Sequence, residues 1–175
     1  MRHIPNILSG LRILMVGAFI YFFVNEQYLI CLIIYATAFL TDLLDGYLAR
    51  RFGWTTDVGK VLDPLADKLM LLTALACFYS VGWLPFYMVA IVFFKELVMI
   101  IGGMLLFRKK IVVYADWFGK IAAGLFNISV AATLLKNFWP QIGYWNLIIL
   151  ALATICAFIA LVHYARKQAL NNRNK

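Results

Sequence analysis

Acidic residues are scarce in this chain. Of its 175 residues eight are Asp or Glu, two are His and four are Pro, and charges of both signs make up only 14%. A soluble domain carries about a quarter charged residues, so the shortage excludes an ordinary water-solvated globule. The two histidines, His3 and His163, stand at opposite ends of the chain, which leaves no histidine-based metal site. Cys31, Cys77 and Cys156 each lie within an apolar run, with no CxxC or Cys/His cluster. They read as packing residues rather than as a disulfide framework or a zinc site. Strict apolar–polar alternation is missing as well, which excludes a membrane β-barrel, and no internal repeat is visible.

Apolar sequence, by contrast, is abundant. Hydrophobic residues make up 65% of the chain and the mean hydropathy is +0.87. Six segments, roughly 8–23, 28–50, 59–80, 85–107, 117–138 and 144–164, each approach the ~20 residues a helix needs to cross a bilayer. Breakers separate several of them, at 25–27, 81–84 and 139–143. The first run is long enough to span and lacks a small-x-small cleavage pattern after it, so it reads as a retained helix. Residues 1–10, MRHIPNILSG, read as a short interfacial helix leading into it, with Pro5 suited to a first turn. Residues 168–175, QALNNRNK, read as a frayed polar tail. The expectation is an all-α integral membrane protein of six transmembrane helices, forming a single domain over 1–175.

Net charge is +8. The cations fall in short clusters between apolar runs, the pattern of loops facing an anionic leaflet rather than of a nucleic-acid surface. Arg2 and Arg12, then Arg50, Arg51 and Lys60, then Arg108, Lys109, Lys110 and Lys120, then the basic tail, alternate with turns poor in Lys and Arg. That alternation predicts a multi-pass protein of the cell membrane with both termini cytoplasmic. Trp83, Trp139 and Trp145 mark the opposite boundary.

Against this background one stretch is anomalous. TDLLDGYLARRFGWTTDVGKVLDPLADK, residues 41–68, holds five of the eight acidic residues of the chain, and four of them, Asp42, Asp45, Asp63 and Asp67, fall within its apolar segments. Each acid at membrane depth costs about 2.5–3.5 kcal/mol on insertion scales. Asp42 and Asp45 are three apart and share a face of the second helix; Asp63 and Asp67 are four apart and share a face of the third. The short connection predicts antiparallel neighbours. Asp42 lies eight residues before Arg50, about 12 Å inside the cytoplasmic end. The four carboxylates are thereby able to meet in one cavity open to the cytoplasm. Like charges in low dielectric repel, and a hard cation such as Mg²⁺, Mn²⁺ or Ca²⁺, one ion or two, resolves the repulsion with all-oxygen ligands. Gly46 and Ala49, one turn after Asp42 and Asp45, leave an open strip for a ligand, and Arg50 at the mouth suits a phosphate. Two other readings use the same acids. One is an interhelical charge network satisfied by Arg50, Lys60 and Lys68. The other is a membrane ion or proton transporter, but the opposite half of the helices lacks matching acids and no inverted repeat is present.

The pattern Asp42-x2-Asp45-Gly46-x2-Ala49-Arg50-x8-Gly59-x3-Asp63-x3-Asp67 fixes eight residues over 26 positions. It resembles the defining motif of the CDP-alcohol phosphatidyltransferases, and the lead-in followed by six spans extends the resemblance over nearly the whole chain. The resemblance implies a homodimeric, all-helical membrane enzyme that moves a phosphatidyl group from CDP-diacylglycerol to an alcohol and releases CMP. It implies that Asp42, Asp45, Asp63 and Asp67 hold Mg²⁺ or Mn²⁺, one ion or two, and that Asp67 is the catalytic base. Gly46, Ala49 and Arg50, with Asn6 of the lead-in, are implied to contact the nucleotide and its diphosphate. Asn6 also suits a turn or cap.

For the acceptor, Lys95 at mid-depth of the fourth segment must face a cavity or pair with an acid. With Arg108 and Lys120 it forms a candidate site for an anionic alcohol. The opening IPNILSGLRI resembles that of members making phosphatidylglycerophosphate, which favours glycerol 3-phosphate. Two departures keep an alternative open. Those members commonly carry Arg-Glu where this chain has Lys95-Glu96, and a further Arg where it has MIIGGM, residues 99–104. Lys lacks the bidentate fork of Arg. Room at Gly102 and Gly103 suits a bulkier acceptor, phosphatidylglycerol, as in a CDP-dependent cardiolipin synthase, although the same glycines suit close helix packing.

Overall fold

The structure, a computed structural model, describes residues 4–52, 59–108 and 117–173; within these the side chains of 4–9, 45, 47–50, 59–64, 103–108, 118 and 164–173 are not described. The regular structure of the described residues is all helical, with no strand. Six α-helices follow in order: α1 Ile4–Val24, α2 Tyr28–Phe52, α3 Gly59–Ser80, α4 Phe86–Arg108, α5 Trp117–Leu135 and α6 Trp145–Arg173, with a single 3₁₀ turn at Pro140–Ile142 before the last.

Local chemistry sets the helix ends. After α1 the Gln27 N–H donates to the Phe22 carbonyl at 2.9 Å and the Glu26 N–H to Phe23 at 3.0 Å, the pairing of a Schellman cap. Glu26 takes the left-handed conformation this requires, at φ 59°. The same cap closes α3, where Trp83 donates to Phe78 and Gly82 to Tyr79, each at 2.9 Å. Here the left-handed position is a glycine, Gly82 at φ 74°. Within α2, the hydroxyls of Thr37 and Thr41 donate to carbonyls three or four residues back, Ile33, Thr37 and Ala38, at 2.7–2.9 Å. Their polarity is satisfied inside the helix, so they interrupt no apolar surface.

Three boundaries differ from the sequence reading. The lead-in is not a separate element: α1 runs unbroken from Ile4 to Val24, because Gly10 costs a helix only about 1 kcal/mol and does not break its ladder. Residues 1–3 lie outside the described residues. α5 ends at Leu135, where Phe138 and Trp139 both donate to the Leu135 carbonyl at 2.9 Å in a turn. α6 continues to Arg173; Gln, Ala and Leu at 168–170 are good helix formers, with no Gly or Pro to stop them. Residues 53–58 and 109–116, with Asp57, Lys109, Lys110 and Asp116, lie outside the described residues.

The chain forms two compact units, Met1–Leu84 with Val130–Gly143 and Pro85–Ser129 with Tyr144–Lys175. In the first, α1 packs along both α2 and α3, which touch each other over a shorter stretch. The buried side chains lie at helical spacing: Arg12, Phe19 and Phe23 on α1, Cys31, Tyr35 and Ala38 on α2, and Ala66, Met70, Ala74 and Phe78 on α3. An aromatic cluster closes one end. Phe23 meets Tyr28, Phe78 and Trp83 with ring centroids 5.4–5.9 Å apart, and Tyr28 meets Trp83 at 4.9 Å. The ends of α1 and α3 and the start of α2 therefore lie together, which makes α2 antiparallel to the other two. In the second unit α4 packs on α6. Asn146, Leu150, Ala153 and Ala157 form the buried stripe of α6, and the Ser129 hydroxyl of α5 donates to the Asn146 carbonyl at 3.0 Å.

The polarity of the surface is reversed from that of a soluble protein. Leu14, Val24, Phe86 and Phe94 are 65–74% exposed, while Arg12, Lys95 and Glu96 are buried. Among the described residues one helical stretch, Trp145–His163, is long and apolar enough to cross a membrane. Gly10–Val24, Tyr28–Leu44 and Gly119–Leu135 are shorter apolar stretches.

Candidate active site

Asp42 lies on the face of α2 that carries Tyr35 and Ala38, seven and four residues earlier, and Gly46 follows one turn later. Burial of Tyr35 and Ala38 against the first unit's core orients that face inward. Asp42 meets a cation there: the Arg12 guanidinium of α1, whose Nη1 is 2.9 Å from Oδ1 of Asp42. Arg12 is 1% exposed, whereas the Asp42 side chain is 33% exposed. The pair is therefore sealed on the arginine side and open on the carboxylate side. On α3, Asp67 stands between buried Ala66 and Met70 and is itself half-buried. Tyr35 of α2 lies within electrostatic reach of it. Two acids of the motif, one on α2 and one on α3, are thus held at the edge of a core organised by α1.

The side chains of Asp45 and Asp63 lie outside the described residues, as do those of Asn6, Ala49, Arg50 and Arg108. By backbone, Asn6 sits in the first turn of α1, Ala49 and Arg50 in the last turn of α2, Asp63 in the second turn of α3, and Arg108 ends α4. Among the described residues no three His, Cys, Asp or Glu side chains cluster. Gly46 is half-buried.

The acceptor candidates belong to the second unit. Lys95, 4% exposed, forms an ion pair with its neighbour Glu96, also 4% exposed, and its ammonium lies 4.9 Å from the centre of the Phe126 ring of α5. Of the two options the sequence left for Lys95, pairing with an acid is realised. Lys120 is exposed on α5, 5.2 Å over the Trp117 ring. Phe126 and Trp117 are nine residues apart, about 13 Å along α5 and half a turn around it. The two lysines are therefore held by rings on different sides of that helix.

Sequence reasoning missed Arg12 as a site residue, reading it only as one of the cations that set orientation. The signal was present: a lone cation inside an apolar run, the same feature that singled out Lys95.

Comparison with known proteins agrees with the motif. The model of the CDP-alcohol phosphatidyltransferase family matches residues 2–163, and the chain belongs to that family of enzymes. A CDP-diacylglycerol–glycerol-3-phosphate 3-phosphatidyltransferase of Aquifex aeolicus is 27% identical over 164 residues, 93% of this chain and 92% of that one. A protein of the same name from Pectobacterium atrosepticum is 31% identical over 182 residues, covering 96% of this chain and 97% of the relative. A probable phosphatidylglycerophosphate synthase of Mycobacterium tuberculosis is 28% identical over 171 residues, covering 94% and 81%.

Proposed function

We propose that this protein transfers the phosphatidyl group of CDP-diacylglycerol to glycerol 3-phosphate, releasing CMP, in phospholipid biosynthesis. One observation carries the reading: relatives matched over more than nine-tenths of both chains bear this activity in their names. The complete aspartate motif on α2 and α3 is consistent with it. In the reaction a hydroxyl oxygen of the acceptor bonds to the phosphorus bearing the diacylglycerol. The bond from that phosphorus to the oxygen bridging it to CMP breaks, and the hydroxyl proton passes to Asp67. Gly46, Ala49 and Arg50, with Asn6, hold the nucleotide and diphosphate. Arg108 and Lys120 supply positive charge for the acceptor phosphate, joined by Lys95 only where it parts from Glu96.

Mg²⁺ or Mn²⁺, one ion or two, fits the donor set. Asp42, Asp45, Asp63 and Asp67 offer only carboxylate oxygens, the ligands hard ions select, and Asp42 and Asp67 are partly exposed. The ion would offset the charge of the diphosphate. The reading further comprises one domain with six spans, a position in the cell membrane with both termini and the site on the cytoplasmic side, surrounding lipid, and a homodimer. The exposed apolar side chains of all the helices support the membrane placement.

The deciding experiment offers purified protein CDP-diacylglycerol and Mn²⁺ with glycerol 3-phosphate, phosphatidylglycerol, inositol phosphate or serine in parallel, and measures CMP. Release with glycerol 3-phosphate is expected. Release with phosphatidylglycerol alone overturns the acceptor. EDTA is expected to silence the reaction and Mg²⁺ or Mn²⁺ to restore it; unchanged release in excess chelator rules out the metal.

A further inference from the structure

We infer that Arg12 is a positioning residue, holding the Asp42 carboxylate in the orientation its metal-binding role requires; this rests on the metal reading proposed above. Arg12 stands nine residues into α1 and is 1% exposed. Its Nη1 lies 2.9 Å from Oδ1 of Asp42, whose side chain is 33% exposed. The cation is thus enclosed by protein while the carboxylate reaches the boundary. A carboxylate has about four lone-pair sites on its two oxygens, so the contact with Arg12 through Oδ1 does not by itself exhaust them.

The placement gives this contact leverage. An aspartate on a helix turns about two side-chain bonds, and each orientation presents its oxygens differently. A guanidinium fixed in a packed core favours, by its charge, the orientation that turns Oδ1 toward it. α1 packs along both α2 and α3, the two helices that carry the motif, so its buried arginine references Asp42 to the element that packs on both. Groups that hold a metal-ligating carboxylate from behind typically change metal affinity or activity by about 10–100-fold when removed.

The alternative role is a tie between α1 and α2 that only stabilises the fold, and two readouts separate the roles. Full-length protein in detergent is titrated with Mn²⁺, with free Mn²⁺ followed by electron paramagnetic resonance, for the wild type, Asp42→Ala, Arg12→Gln and Arg12→Lys. Melting temperatures and the kcat and donor KM for CMP release are measured in parallel. Arg12→Gln is expected to weaken Mn²⁺ binding by about 10–100-fold and to lower kcat more than it raises the donor KM. Arg12→Lys, which keeps the charge but not the planar fork, is expected to fall between. Wild-type Mn²⁺ affinity in a folded Arg12→Gln protein with a lowered melting temperature makes Arg12 a tie and overturns the inference. If that variant does not fold, Arg12→Lys decides: Mn²⁺ affinity equal to wild type overturns the inference, and weaker affinity supports it. Failure of the wild type to bind Mn²⁺ overturns the metal reading and the inference with it. Binding that is lost in Asp42→Ala but unchanged in both Arg12 variants removes the inference alone.

Discussion

Arg12 and Lys95 are both cations buried in apolar helices, at 1% and 4% exposure, yet they meet their acids differently. Arg12 reaches from α1 to Asp42 on α2, and that acid opens to the exterior. Lys95 pairs with the next residue of its own helix, and Glu96 is as buried as the lysine. Neighbouring helical residues point about 100° apart, so the second pair is a local neutralisation, covered by the Phe126 ring. The first spans two elements and leaves a carboxylate edge accessible. A closed pair hides charge, whereas an open pair presents it. Under the proposed function, this difference fits a chemical role for Asp42 on the Arg12 side of the comparison and makes any acceptor role of Lys95 dependent on separating it from Glu96.

The largest expected effect tests that contrast on activity. Asp42→Asn keeps shape and removes the charge from the open pair, and Glu96→Gln does the same in the closed one. CMP release should fall by about 10³-fold or more in Asp42→Asn, about 4 kcal/mol in the barrier. In Glu96→Gln, at saturating acceptor, it should stay within about tenfold of wild type. Equal losses would erase the distinction between the pairs.

Stability sharpens the comparison next. Removing one member of a buried pair strands the other charge, at a cost of about 3–5 kcal/mol, whereas replacing both by apolar residues is often neutral or stabilising. Lys95→Met should therefore lower stability by about 3–5 kcal/mol in denaturant or thermal unfolding, and Lys95→Met/Glu96→Leu should recover most of it. The corresponding Arg12→Met/Asp42→Leu protein should also recover stability relative to Arg12→Met, but it should release no CMP. Activity in that double variant would make the open pair structural.

These contrasts also show what was legible in the sequence. Apolar runs, several of them separated by Gly, Pro or Asn, located the six α-helices of the described residues, because length and breakers act locally. The ends that moved, at 4, 135 and 173, depend on whether a helix runs through a weak former such as Gly10 or on into polar residues that favour helix, which apolarity does not report. The aspartate motif was legible because acid is rare among apolar residues. The partner of Asp42 was not, because Arg12 lies 30 residues away and its own sequence context suits a cytoplasmic flank equally well. Likewise, the mid-depth position of Lys95 announced a need for a partner but left the choice between cavity and acid to packing, which placed Phe126 over it.

A smaller effect concerns the acceptor. If the Lys95 charge serves glycerol 3-phosphate despite its pairing, the folded Lys95→Met/Glu96→Leu protein should raise the KM for glycerol 3-phosphate by about tenfold, or about 1.4 kcal/mol, with the donor KM within about threefold. Using the double variant keeps the stranded-charge penalty out of the measurement. An unchanged acceptor KM would confine the pair to the fold and shift the acceptor role toward Arg108 and Lys120.

A last contrast isolates the ring. The Lys95 ammonium lies 4.9 Å from the centre of Phe126, within the ~6 Å over which an aromatic face attracts a cation. Phe126→Leu removes the π-face but retains an apolar side chain, so part of its cost is repacking rather than loss of the electrostatic contact. A double-mutant cycle separates these parts. Phe126→Leu is measured in wild type and in the Lys95→Met/Glu96→Leu background, where the cation is absent and no acid is stranded. Repacking contributes to both arms and cancels, leaving a coupling of about 0.5–2 kcal/mol, with the upper end expected for a desolvated cation. Coupling near zero would mean that Glu96 alone neutralises Lys95 and that Phe126 merely fills space. A value in the expected range would make the closed pair a three-part arrangement of cation, acid and ring, in which the ring and the acid both hold the lysine inside the helix bundle of the second unit.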